Sequence, residues 1–93
     1  RFTIAIPVES DVHVGDIVMY FGAPSGVPGG WLHSGIVTAV DGQGYATEIS
    51  SKMGEFEIIT HHPRDILEEY GGTDPTYEHD GIAYPSRVYY RKN

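Results

Sequence analysis

The segment that most constrains the fold is DIVMYF, residues 16–21, which is apolar on both sides of an extended chain. Every residue after Asp16 is apolar, so a strand formed here presents apolar side chains to both faces of a sheet. Strands of this type are usually covered on both faces. The segment therefore predicts either a sheet that curls until it covers itself or a further layer of structure packed against it.

Alternation of apolar and polar residues predicts further strands along the chain. The Asp-Gly pair of DGQG, residues 41–44, is a turn signal that joins the strands around it as a hairpin. One short helix is predicted near 63–70, because Pro63 suits a first helical turn and Gly71 suits a helix end. Residues 73–86 are predicted to be irregular. The predicted strands are 2–6, 16–21, 33–40, 45–51, 56–59 and 87–91.

These elements predict a mainly β fold, a curled antiparallel sheet or half-barrel of five to six strands with one short helix. The 93 residues make one small domain with a modest core. The net charge of −7 makes a phosphate-binding surface for nucleic acid or for an anionic membrane unfavourable. No apolar run approaches the ~18 residues that a membrane span needs.

The stretch HSGIV, residues 33–37, carries the main candidate for chemistry. His33 opens a predicted strand directly after a glycine-rich loop, and Gly35 on the same face leaves space beside the imidazole. A catalytic base needs such an accessible position beside a cleft. We assign Trp31 and Gly35 to a substrate groove next to His33. The plain alternatives are a solvated or hydrogen-bonded histidine at a strand edge and a tryptophan that only packs.

No cysteine is present, which excludes a disulfide, a thiolate zinc site and a thiol nucleophile within this chain. Ser34 is a poor substitute, because it points to the opposite face from its neighbour His33. Ser25 lies in the loop and can approach, but no oxyanion hole accompanies it. Adjacent His61 and His62 diverge on an extended segment, and no H-x-x-x-H or H-E-x-x-H spacing occurs. No metal or other cofactor is predicted.

Four segments in order, GDIVMY, HSGIV, EISSKMG and HHPRDILEEYG, resemble the C-terminal part of NlpC/P60- and CHAP-like domains. These domains belong to the papain-like cysteine hydrolase superfamily. The resemblance covers roughly residues 14–91, with Met53 where the most similar subgroup has tryptophan. It implies amide hydrolysis of a peptide or amide substrate, with peptidoglycan peptides among the family's substrates and bacterial toxins among the related domains.

The resemblance also implies roles for three polar residues. His33 matches the histidine that serves as general base. Ser50 matches the third residue, which orients the imidazole, although family members often carry a carboxylate or amide there. Glu48 lies two residues earlier on the same strand face and is the carboxylate that would substitute for it.

The family's nucleophilic cysteine stands at the start of a helix that precedes everything aligned here. The resemblance therefore implies that residues 1–93 form the C-terminal half of a papain-like α+β domain. An N-terminal cysteine-bearing segment or a partner chain would complete the site and cover the apolar strand, over Ile17 and Met19 or over Val18 and Tyr20. The alternative is a catalytically inactive β-barrel binding module that recognises a protein partner.

Overall fold

A computed structural model describes residues 2–23, 26–53, 57–65 and 74–92. Within them the fold is mainly β, with a six-stranded antiparallel sheet in the order β1-β8-β2-β3-β4-β5 and a two-stranded sheet of β6 and β7. The larger sheet is open, with β1 and β5 at its edges, and is not closed into a barrel. The strands are β1 Phe2–Ile6, β2 Ile17–Gly22, β3 Gly30–Val40, β4 Ala46–Met53, β5 Glu57–His61, β6 Thr76–His79, β7 Ile82–Pro85 and β8 Arg87–Lys92.

The predicted mainly β fold and the central hairpin are confirmed. Strands β2, β3 and β4 are neighbours in the sheet, and residues 41–45 connect β3 to β4. The Asp41 carboxylate accepts hydrogen bonds from the backbone N–H groups of Gln43 and Tyr45, at 2.9 and 3.0 Å, which holds the turn. The predicted helix falls largely outside the described residues, which in this region end with a turn at Pro63 and Arg64.

The prediction that residues 73–86 are irregular is wrong for most of the segment, because β6 and β7 form a hairpin there. Asp80 and Gly81 connect the two strands with positive φ angles of 52° and 77°, the backbone that a two-residue hairpin turn requires. The rings of Tyr77 and Tyr84 stack across the strands at 5.6 Å. The small sheet is therefore an ordered element.

One face of the six-stranded sheet, called here the inner face, carries the core. Its central cross-strand row has one residue from each strand and includes Gly35. In sheet order the row is Ile6, Tyr89, Val18, Gly35, Ser51 and Ile59. The buried apolar core also draws on the chain before β2 and on the start of β4, through Val12 and Ala46.

The opposite face of the sheet, called here the outer face, is much more exposed. Ile36 stands in its middle with 52% of its surface exposed, and Ile58 on β5 is exposed as well. The strand that is apolar on both sides is thus covered on one side only. Val18 and Tyr20 are fully buried on the inner face, whereas Ile17, Met19 and Phe21 are half-buried on the outer face.

Candidate functional site

His33 lies on the inner face but not where the sequence analysis placed it. Strand β3 begins at Gly30, so His33 is the fourth residue of the strand and pairs with Tyr20. Only 7% of its surface is exposed, so the prediction of a ring exposed at a groove is wrong. Burial lowers the pKa of His33, and repulsion from a protonated His61 lowers this pKa further. The imidazole is therefore neutral at neutral pH.

The two residues predicted to support His33 lie on the other side of the sheet. Ser50 pairs directly with Ile36 on the outer face. Glu48 shares that face, and its Oε1 accepts a hydrogen bond of 2.8 Å from the Thr38 hydroxyl. The side chains of Ser50 and Glu48 therefore lie on the opposite face of the sheet from the His33 imidazole. The structure therefore does not bring His33, Ser50 and Glu48 together.

The two residues predicted to line a groove do not form one beside His33. A bulge in β3 pairs Trp31 with Phe21, which turns the indole to the outer face with 58% of its surface exposed. Gly35 is on the inner face with His33, but the space beside it is filled. A Cβ on Gly35 would lie 2.6 Å from Ser51 Oγ and even closer to a methyl group of Ile49.

A different pair, Ser51 and His61, forms the polar cluster on the inner face near His33. Ser51 Oγ lies 2.7 Å from His61 Nε2, and His61 Nδ1 lies 2.7 Å from the backbone carbonyl oxygen of His62. A carbonyl can only accept, so Nδ1 carries the proton and Nε2 accepts from the serine hydroxyl. Hydroxyl, imidazole and acceptor follow the order of a Ser-His-Asp triad, with a carbonyl in place of the carboxylate. Both side chains are buried.

The turn signal places Ser51 on the His33 face only when the exact length of the β3–β4 connection is known. Residues directly opposite each other in an antiparallel pair share a face. The predicted connection 41–44 has its midpoint between Gly42 and Gln43 and would place Ser50 opposite Gly35, whereas the observed pairing counts outward in equal steps from Gln43 and places Ser51 opposite Gly35 and Ser50 opposite Ile36. This count puts Ser51, and not Ser50, on the His33 face. His61 joins it from β5, whose pairing with β4 has no comparable turn signal.

A cleft of about 270 Å³ opens on the inner face between β8, the start of β4 and the turn after β5. Arg87 lines it with a side chain that is only 1% exposed, and its Nε donates to Glu9 Oε1 at 2.7 Å. Tyr45 and Tyr89 supply aromatic walls. The charged and imidazole side chains lining the cleft are Glu9, Asp41, His62, Arg64 and Arg87.

Tyr20 connects the cleft to His33. It stands between Arg87 and His33 in one cross-strand row, and its ring lies 6.1 Å from the imidazole. Its hydroxyl donates a 2.8 Å hydrogen bond to the carbonyl oxygen of Pro63, which lines the cleft. Burial raises the pKa of Tyr20 far above its ordinary value, so this hydroxyl stays a donor.

No group of three or more metal-ligating side chains occurs among residues 2–23, 26–53, 57–65 and 74–92. No helix in the described part of the chain is long and apolar enough to cross a bilayer. In comparisons with known proteins, no family model, no curated protein and no solved structure matches this chain.

Proposed function

We propose that the chain is the histidine-bearing part of a papain-like cysteine hydrolase that cleaves amide bonds, with the cysteine supplied by a preceding segment or a partner chain. The observation that carries the proposal is His33 itself, an inner-face imidazole on β3 whose lowered pKa keeps it able to accept a proton. The succession of β2, β3 and β4 as antiparallel neighbours agrees with the order of the resembling segments.

In the proposed reaction His33 takes the proton of the cysteine thiol, and the thiolate attacks the carbonyl carbon of the amide. The carbon–nitrogen bond breaks as the imidazolium gives that proton to the leaving amine. Water then hydrolyses the thioester, which releases the acid and restores the thiol. A protonated His61 disfavours a proton on the His33 ring, because the two positive charges repel each other.

The two faces of the sheet restrict where the cysteine can enter. A helix packed on Ile17, Met19 and Phe21 would lie on the outer face, across the sheet from His33. Val18 and Tyr20 are already fully buried. The cysteine must therefore arrive on the inner face, where Tyr20 holds the carbonyl of Pro63.

The test compares the chain alone with the chain joined to the sequence that precedes it in its gene. We expect no turnover of acylated peptide amides by the chain alone and clear turnover by the joined protein. Thiol alkylation should abolish that turnover, and His33→Gln should lower it roughly 10²–10⁴-fold. His13→Gln, at an exposed histidine, is the matched control and should leave the rate unchanged. Activity of the isolated chain would contradict the proposal, and an inactive joined protein would contradict a preceding segment as the source of the cysteine.

The outer face favours a second candidate function, a non-catalytic module that binds a protein partner. Trp31, Ile36 and Ile58 place exposed apolar surface on this face, a feature of interaction sites. In that case Trp31→Ser should weaken partner binding and His33→Gln should not. The hydrolase proposal predicts the opposite order of effects on activity, so the two variants separate the candidates.

A further inference from the structure

We propose that the inner-face cleft binds the carboxylate group of a small organic acid or of a peptide C-terminus, which takes the place of Glu9 on Arg87. This proposal rests on the cleft alone and not on the hydrolase chemistry of His33. Its grounds are the charges around the cleft, the burial of Arg87, the donors at the rim and the size of the space.

The first ground is charge. The chain has a net charge of −7, yet two of its six lysine and arginine residues, Arg64 and Arg87, line this one cleft. Of the two carboxylates there, Asp41 already accepts two backbone hydrogen bonds in the β3–β4 turn. Glu9, the other carboxylate, pairs with Arg87 Nε at 2.7 Å. These two carboxylates balance the two guanidinium groups, so a ligand carboxylate that displaces Glu9 leaves the charge of the cleft unchanged.

The second ground is the contact between Arg87 and Glu9. The Arg87 side chain is 1% exposed, and a buried guanidinium needs a carboxylate partner because its desolvation is costly. Glu9 is 33% exposed and comes from a 3-10 turn of only three residues, Glu9–Asp11. Because Glu9 stands on such a short surface element, a ligand carboxylate can replace it on Arg87. The planar guanidinium accepts a ligand carboxylate in the same geometry.

The third ground is the supply of hydrogen-bond donors. His62 Nδ1 accepts the backbone N–H of Arg64 at 3.1 Å, so the neutral ring carries its proton on Nε2 as a donor. Burial raises the pKa of Tyr89 to about 12, with the Glu9 carboxylate adding to the rise. The Tyr89 hydroxyl therefore keeps its proton. Together with the guanidinium groups of the two arginines, the His62 ring N–H and the Tyr89 hydroxyl provide hydrogen-bond donors for an anion.

The fourth ground is size. The cleft of about 270 Å³ lies just below the range of about 300–1,000 Å³ typical of sites for drug-sized ligands. It accommodates a small acid or the terminal residue of a peptide. Tyr45 and Tyr89 offer apolar walls to the carbon atoms beside the carboxylate. Free acids and peptide C-termini share this chemistry, so the experiment must separate them.

The experiment follows amide NMR shifts of the whole chain during titration with N-acetylalanine and with its amide, which differ only in the carboxylate. The acid should bind and shift residues around the cleft, and the amide should not. Arg64→Gln should weaken binding of the acid roughly tenfold. Glu9→Gln should strengthen it, because the competing carboxylate is gone. Lys92→Gln removes an equal charge outside the cleft and should change nothing.

Trialanine with a free and with an amidated C-terminus, together with inorganic phosphate, completes the titration. Tighter binding of free trialanine than of N-acetylalanine assigns the site to peptide C-termini, and equal or weaker binding assigns it to small acids. Equal binding of acid and amide, tighter binding of phosphate, or an equal effect of Lys92→Gln and Arg64→Gln would overturn the proposal. Arg64 is exposed, so its variant tests the site even where substitution of buried Arg87 prevents folding.

Discussion

The inner and outer faces are built from alternate residues of the same strands, yet they hold different kinds of side chain. The inner face encloses Ser51, His61 and Arg87 in hydrogen bonds or ion pairs beside a cluster of buried apolar side chains. The outer face leaves isoleucines and a tryptophan in contact with water. Burying polar groups is costly unless they are paired. The comparison teaches that chemistry should be sought on the enclosed face and partner binding on the open one.

The largest expected difference between the faces concerns two isoleucines on neighbouring strands. Ile49→Ala should lower the free energy of unfolding by about 2–5 kcal/mol, because Ile49 is fully buried and its removal leaves a cavity. Ile36→Ala on the outer face should cost less than about 1 kcal/mol. Urea unfolding of both variants measures the two values. Equal losses would mean that the outer face is covered in solution.

A smaller difference is expected for two adjacent serines. Ser51→Ala removes the hydroxyl that pairs with buried His61 and should cost about 1–3 kcal/mol of unfolding free energy. Ser50→Ala on the outer face should change stability by less than about 0.5 kcal/mol. The same unfolding assay compares them. A larger loss for Ser50→Ala would reverse our assignment of the two faces.

The smallest expected effect is a pH dependence of stability that comes from His33. Its pKa is lowered in the folded chain, so the unfolded chain binds the proton more readily. This part of the stability is complete above the ordinary histidine pKa of about 6.5 and falls as the pH drops below it towards the folded pKa. His33→Gln should flatten the dependence between about pH 7.5 and about pH 5, relative to His13→Gln. If the unfolding free energy of both variants changed equally with pH, the His33 side chain would be exposed to water in the folded chain.

Turn residues and side-chain alternation predicted the strands of the larger sheet. The burial of its inner face depends instead on contacts between residues that are distant in sequence. The Asp-Gly turn at 41–44 sufficed for the central hairpin. The same Asp-Gly signal at Asp80 and Gly81 forms the turn between β6 and β7, where the prediction of irregular structure was wrong. The burial of His33 accompanies the contact between Tyr20 and Pro63, which are 43 residues apart in sequence. No periodicity of side chains carries information about such a contact.

The absence of a side chain at Gly35 also decides which alignment of β3 against β4 can fold. A slip of two residues preserves the alternation of inward and outward side chains, so hydrophobic pattern alone does not prevent it. Such a slip would bring His33 or Val37 opposite Ser51, where a methyl group of Ile49 and the serine hydroxyl already occupy the space. The glycine thus selects the native pairing among misaligned hairpins that the rest of the sequence would tolerate.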